Sequence, residues 1–323
     1  MTMRERGATT ASPYGATGRP GALMSSSRHD RPGQMPGQLT NGDASYRRRL
    51  LDGAVALAED ARYASAPRGN EIVGFSDQFQ VVFPYRGVLV WHVGHDDVVG
   101  DANQVLFVSG GESYRLSEPR AGGFSELVIT PRLDVLAEIT QTDARDLQDH
   151  SLFRRRSRRA DPRLQSLRTR FLYCAGHASE IDPLTAESLM DDLLQAALVD
   201  DAPRDPPAAS SRRLIRRTKE YLEAEFASPI SLHQVGHAVG ASPAYLTDLF
   251  RRVEGVSLHR YVVQLRLARA LVELPHAEDL SMLALDVGFS SHSHFSAAFR
   301  RAFGCTPSQF RQTTRARHHP SPI

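Results

Sequence analysis

Two stretches of this chain, 48 residues apart, spell the same local structure. Val239-Gly240-Ala241-Ser242, Phe250-Arg251-Arg252 and Gly255-Val256-Ser257 recur as Val287-Gly288-Phe289-Ser290, Phe299-Arg300-Arg301 and Gly304-Cys305-Thr306, with one residue inserted at the second turn. An internal repeat of this kind implies two copies of one supersecondary unit. In the second copy, Met282, Leu283, Leu285 and Val287 suit a short buried helix over 281–287. Gly288 follows, where an interhelical turn takes a residue that tolerates positive φ. Ser290 and Ser291 supply an N-cap for a helix over 291–303. In that helix Phe295, Phe299 and Phe303 recur every four residues and share one face. His292, Ser293, Ser296, Ala297 and Arg300 make the other face small, polar or basic. One packed face and one small polar face, entered through a glycine turn, suit a helix that reads the DNA major groove.

Residues 212–315 resemble the DNA-binding domain of the AraC/XylS family of bacterial transcription regulators, which carries two helix-turn-helix units joined by a long helix. The family's most recognisable segment is matched by Leu283-Ala284, Gly288-Phe289, Phe295, Phe299-Arg300, Gly304, Thr306-Pro307 and Phe310-Arg311, in order and spacing. The resemblance covers about a third of the chain. It implies groove-facing positions at Ala244, Tyr245, Thr247, Asp248 and Arg251 in the first unit, and at His292, Ser293, Ser296 and Ala297 in the second. None of the base-facing positions of the second unit is arginine, asparagine or glutamine, so bidentate base readout is poorly supplied there. Much of the affinity is therefore expected from Arg251, Arg252, Arg300, Arg301 and Arg311 and from the helix N-termini at Ser242 and Ser291. A solvated helix end is the plain alternative for some of these arginines. Asp248 either accepts from a cytosine amino group, caps locally, or pairs with Arg251 or Arg252. Gly236 stands where the family usually has alanine, and in a helix it should cost about 1 kcal/mol.

Charge agrees with this division. Residues 211–317 hold fifteen Lys and Arg against nine Asp and Glu, a net +6, whereas the whole 323-residue chain carries +2. A basic domain on a near-neutral protein is the electrostatic footprint of a DNA binder. Its first helix is expected over 212–227, followed by 231–239, 242–254 and a connecting helix over 257–274 that ends before Pro275. That connector spans about 25 Å, enough to hold two readers about one DNA turn apart.

The preceding residues read as α+β. Residues 1–45, rich in Gly, Ser, Pro, Thr and Arg, form a disordered tail. A short amphipathic helix is expected over 46–60. Strands follow at 72–75, 79–84, 88–93, 104–108 and 127–130, separated by Gly, Asp, Asn and Pro. They suggest a small antiparallel β-barrel spanning 46–140, similar to the cupin-type sensor that often precedes the AraC/XylS reader. Phe83, Tyr85, Trp91, Phe107 and Tyr114 either line an apolar ligand pocket, with Arg86 or Arg115 as anchor, or are simply barrel core. A helical region over 141–199 includes amphipathic helices at 162–175 and 183–199; the resemblance implies that this pair forms a dimer interface. The basic run 151–159 reads as a solvated linker face. Residues 200–210, acidic and proline-rich, are an interdomain linker, and 316–323 a tail.

No enzyme chemistry is legible. His92 and His95, with Asp96, Asp97 and Glu112, invite a metal, but His-x-x-His on a strand points to opposite faces. His233 and His237 share a helix face, yet Gln234 stands where a zinc protease needs glutamate. No catalytic residue, metal or cofactor is assigned. Cys174 and Cys305 make no disulfide framework, and no apolar run is long enough for a membrane span. The expected protein is a cytoplasmic, homodimeric transcription activator. Its partners would be double-stranded promoter DNA, RNA polymerase and a small-molecule effector, without a membrane. The alternatives are a cupin-type metal enzyme fused to a DNA-binding domain and a ligand-free DNA binder.

Overall fold

The computed structural model describes residues 45–64, 71–118, 122–142, 152–153, 155–177, 183–198 and 208–316. The tail over 1–44, most of the 200–210 linker and residues 317–323 lie outside them. The described residues begin with ten strands, interrupted by one helix: β1 (Ser45–Asp52), β2 (Ala56–Tyr63), β3 (Ile72–Ser76), β4 (Gln80–Arg86), β5 (Leu89–Val93), β6 (Asp96–Gly100), β7 (Gln104–Val108), β8 (Glu112–Ser117), β9 (Phe124–Pro131), α1 (Leu133–Thr140) and β10 (Ser157–Arg159). All pairings are antiparallel. They form a six-stranded sheet in the order β1-β2-β9-β4-β7-β10 and a four-stranded sheet in the order β3-β8-β5-β6. The two sheets keep separate strand orders and do not close into the barrel that the strand count suggested.

Residue alternation shows why the inner strands read as unbroken apolar runs. Val81 and Phe83 of β4, Val105 and Phe107 of β7, and Leu127 and Ile129 of β9 point into one core, beneath α2 (Pro162–Gly176) and α3 (Pro183–Leu198). Their neighbours Val82, Leu106, Val108 and Val128 point into a second core, with Leu89, Trp91 and Leu116 of the four-stranded sheet. Both faces of the six-stranded sheet are covered, so alternation of polar and apolar residues vanishes.

The helix expected over 46–60 is instead the hairpin β1–β2, paired from Ser45↔Tyr63 to Asp52↔Leu57 with a register shift between Arg49 and Leu51. Ala56, Ala58 and Ala61 are buried along β2; alanine marks neither period, so tertiary pairing decided the outcome. The basic run supplies β10, which pairs with β7.

Seven helices complete the described residues: α4 (Ala209–Glu225), α5 (Leu232–Val239), α6 (Pro243–Glu254), α7 (Leu258–Glu273), α8 (Leu280–Asp286), α9 (His292–Phe303) and α10 (Pro307–Ala316). They build two cores that meet along α7. The first gathers Leu222, Val235, Val239, Leu246, Phe250 and Tyr261. The second gathers Leu271, Leu283, Ala284, Phe289, Phe295, Phe299 and Phe310. Phe295 and Phe299 are both 0% exposed, and each burial contributes about 2–3 kcal/mol. Thr306-Pro307 does more than stop a helix, because it opens α10, whose Phe310 completes the second core.

Candidate DNA interface

Each unit is a short helix, a turn and a capped second helix. In the first, Ser231 and Gln234 form a reciprocal capping box at the start of α5. Ser242 accepts from the Tyr245 amide to start α6. In the second, Asp279 accepts from the Ser281 and Met282 amides to start α8, and Ser291 accepts from the His294 amide to start α9. Those backbone contacts hold the Asp279 carboxyl below its ordinary range. Two glycines are set by contact. Gly288 has φ +91°, and a Cβ there would lie 2.8 Å from backbone atoms of Phe226 and Ala227. At Gly236 a Cβ would lie 2.7 Å from the Ala241 carbonyl oxygen. The glycine therefore admits a tight turn, and its expected helix cost of about 1 kcal/mol is offset by that close approach.

The groove-facing candidates lie outward on these helices. On α6, Ser242, Ala244, Tyr245, Asp248, Arg251 and Arg252 are exposed, whereas Leu246, Leu249 and Phe250 are buried. Asp248 pairs with Arg252 at 3.0 Å one turn on, the local partner foreseen for it. Thr247 is half-buried and donates its hydroxyl to the Pro243 carbonyl at 2.8 Å, so it has only acceptor lone pairs and its methyl left for a ligand. On α9, Ser291, His292, Ser293, Ala297 and Arg300 are exposed, as is Arg301, and Ser296 is half-buried. Ser296 and His292 approach each other at 3.4 Å. The helices end at Gly255 and Gly304, with Arg251-Arg252 and Arg300-Arg301 in their last turns. Arg311 stands apart from this surface. It is half-buried and donates to the carbonyls of Ala277 and Glu278 at 2.8 and 3.3 Å, tying α10 to the loop before α8.

Four of the aromatic candidates of the sheets divide between two cores. Phe83 and Phe107 belong to the core under α2 and α3, and Trp91 and Tyr114 to the core between the sheets. Tyr85 donates to Asp60 at 2.5 Å. Both ring nitrogens of His92 are taken, by Asp97 and by Ser117, each at 2.7 Å. Among the described residues no three His, Cys, Asp or Glu side chains gather as metal ligands.

Sequence reading missed the contact between the sheets and the first helix-turn-helix unit. The turn after β6 is entirely buried. Its Asp101 accepts from the Tyr261 hydroxyl at 2.5 Å, Asn103 donates to the Tyr261 carbonyl at 3.3 Å, and Gln104 donates to Glu254 at 3.2 Å. Lys219 pairs with Glu254 at 2.7 Å and lies 5.6 Å from the centre of the Tyr261 ring. Ala102 packs on Leu265 and Ala268 of α7. Burial pushes the Asp101 carboxyl up, opposed by Lys219 and by its hydrogen bonds. The one available signal was a polar Asp-Ala-Asn-Gln string beside a strand, which looks like any exposed turn.

Two capped reader helices with open polar faces and arginine-rich ends, joined by one helix, define a double helix-turn-helix DNA-binding protein. A family model described as a helix-turn-helix domain matches residues 235–313. Regulatory protein SoxS of Salmonella typhimurium is 35% identical over 103 residues, covering 32% of this chain and 96% of that protein. The transcriptional activator RhaR of Klebsiella pneumoniae is 34% identical over 114 residues, covering 35% of this chain and 41% of RhaR. Regulatory protein PocR of Salmonella typhimurium is 24% identical over 151 residues, covering 44% of this chain and 50% of PocR. The match thus spans half or less of the length of PocR and RhaR. The chain belongs to the AraC/XylS family of transcription regulators, as its C-terminal motif indicated.

Proposed function

We propose that this protein binds promoter DNA sequence-specifically through α6 and α9 and activates transcription by contacting RNA polymerase. The observation that carries the proposal is the paired reader face: two helices of like design, each capped at a serine, each exposing small polar side chains and ending in two arginines. Ser242, Ala244, Tyr245, Thr247, Asp248, Ser291, His292, Ser293, Ser296 and Ala297 face base edges or sugar-phosphate. Arg251, Arg252, Arg300 and Arg301 contact phosphates. Arg311 acts from behind, by fixing α10. RhaR, by its name an activator, supports the direction of control. The sheet region responds to a small-molecule effector, and a second copy joins through α2 and α3, where Leu184 is 71% exposed. No helix among the described residues is long and apolar enough to cross a membrane, and the proposed site of action is the cytoplasm.

Selection from a random DNA pool with the full chain tests this reading. An enriched site about two helical turns long, weakened by Arg300→Ala and by His292→Ala, is expected. No enriched sequence at low salt overturns it. Sedimentation at micromolar concentration checks the dimer.

A further inference from the structure

A cavity of about 910 Å³ lies between the sheet region and the second helix-turn-helix unit. One wall is the loop Arg86–Val88 with Gly122 and Gly123; the others are α4, the C-terminal end of α7 and α8. Its volume suits a small organic ligand. Its lining carries six carboxylates against two guanidinium groups. The fate of each charge shows what is unspent. Arg269 is paired with Glu223 at 2.8 Å and stacks over Phe226, and Glu220 is paired with Arg216 at 3.5 Å. Asp279 is committed to capping α8. Glu273, Glu278 and Asp286 form no ion pair among the described residues, and Arg86 is the one cation of the lining without a carboxylate partner there. Glu223 is only 9% exposed; Arg269 donates to its Oε1 and the Gly87 amide faces the carboxylate, yet its Oε2 has no hydrogen bond of good geometry. A buried carboxylate oxygen left so is costly, and a donor that reaches it recovers that cost. Between the charges the lining is apolar, with Val88, Leu283 and Val287 beside the exposed Met282.

We propose that this cavity binds an amphiphilic organic cation, an amine carried on an apolar body, as the effector of the proposed regulator. The ammonium lies among Glu223, Glu273, Glu278 and Asp286, and the apolar body lies against Met282 and Leu283. A ligand held there touches the sheet loop and α8 at once, so it joins the sensing region to the unit that presents α9. This inference rests on the effector-responsive reading above, and it selects one class of ligand for it.

The test uses the full chain with 2-phenylethylamine as probe and 3-phenylpropionate, of similar shape and opposite charge, as control. The amine should raise the melting temperature saturably at millimolar concentration, by about 2 °C or more, and the acid should not. Glu278→Gln and Asp286→Asn change exposed side chains and should leave the fold intact while weakening the amine roughly fivefold each. Glu223→Gln should weaken it further. No saturable shift with the amine, an equal shift with the acid, or amine binding unchanged in all three variants overturns the inference. DNA selection is run on the same preparation. Intact DNA selection with no amine binding removes only the ligand class, whereas loss of DNA selection removes the regulatory reading itself.

Discussion

At Gly288 a single hydrogen atom separates a working turn from a collision. Its φ is +91°, and a methyl group there would meet the Phe226 and Ala227 backbone at 2.8 Å. Gly288→Ala should therefore lower stability by about 2–3 kcal/mol in urea titration, combining left-handed strain with a rigid clash. Asp279→Ala removes one cap, spares the core, and should lower stability less than Gly288→Ala does in the same titration. At this scale much was legible from residue type alone. A phenylalanine every fourth residue, a glycine at each turn and a serine before each reader helix carry their meaning in local chemistry. Arg311 was not legible in that way. An arginine near a motif can face phosphate or fold back onto carbonyls, and only the position of the loop at Ala277 decides between them.

For the elements, the reader helices make their own prediction. Four exposed arginines at the ends of α6 and α9 form a phosphate-binding set in which Arg252 is shared with Asp248. Log affinity for DNA should fall steeply with log salt. Arg300→Ala should reduce that slope by about one, and Asp248→Ala should strengthen binding by freeing Arg252. Fluorescence anisotropy across a salt series measures both. The helices between 212 and 303 were foreseen to within a few residues because each carries a 3.6-residue apolar period, whereas α10 was not foreseen. The strands were less legible where tertiary pairing overrode local preference. In β2 alanines take the inward positions, β6 and β8 carry charges on half-exposed faces, and β10 is a basic triplet made into a strand only by its partner β7.

For the whole molecule, burial of charge between layers sets the response to pH. Burial raises the Glu126 carboxyl between the sheets, and the Glu223 carboxyl beside α7, from 4.5 to about 7, with Arg47 and Arg269 opposing each rise. Through that interval the unfolded chain has released protons that the folded chain keeps, so stability should fall as pH rises from about 4.5 to about 7. Glu126→Gln should flatten the fall when denaturation midpoints at about pH 5 and about pH 7.5 are compared. The buried turn at Asp101 sets a second response. Tyr261→Phe removes the hydroxyl that faces Asp101 and should cost about 2 kcal/mol, with amide exchange rising first in the turn after β6. Neither response could be read from composition, because both depend on residues more than forty positions apart meeting in the interior.

The connector α7 carries one further consequence. Helix-turn-helix cores are built against both of its ends, and its middle is pinned on the sheet through Ala102, with Arg159 reaching Gln264 at 3.3 Å. Such a strut acts as a ruler with a fixed phase. Each base pair inserted between the two contacted segments rotates the second by about 34–36° around the duplex. Affinity should therefore drop on inserting a few base pairs and should not return at a full turn, since α7 cannot lengthen to follow.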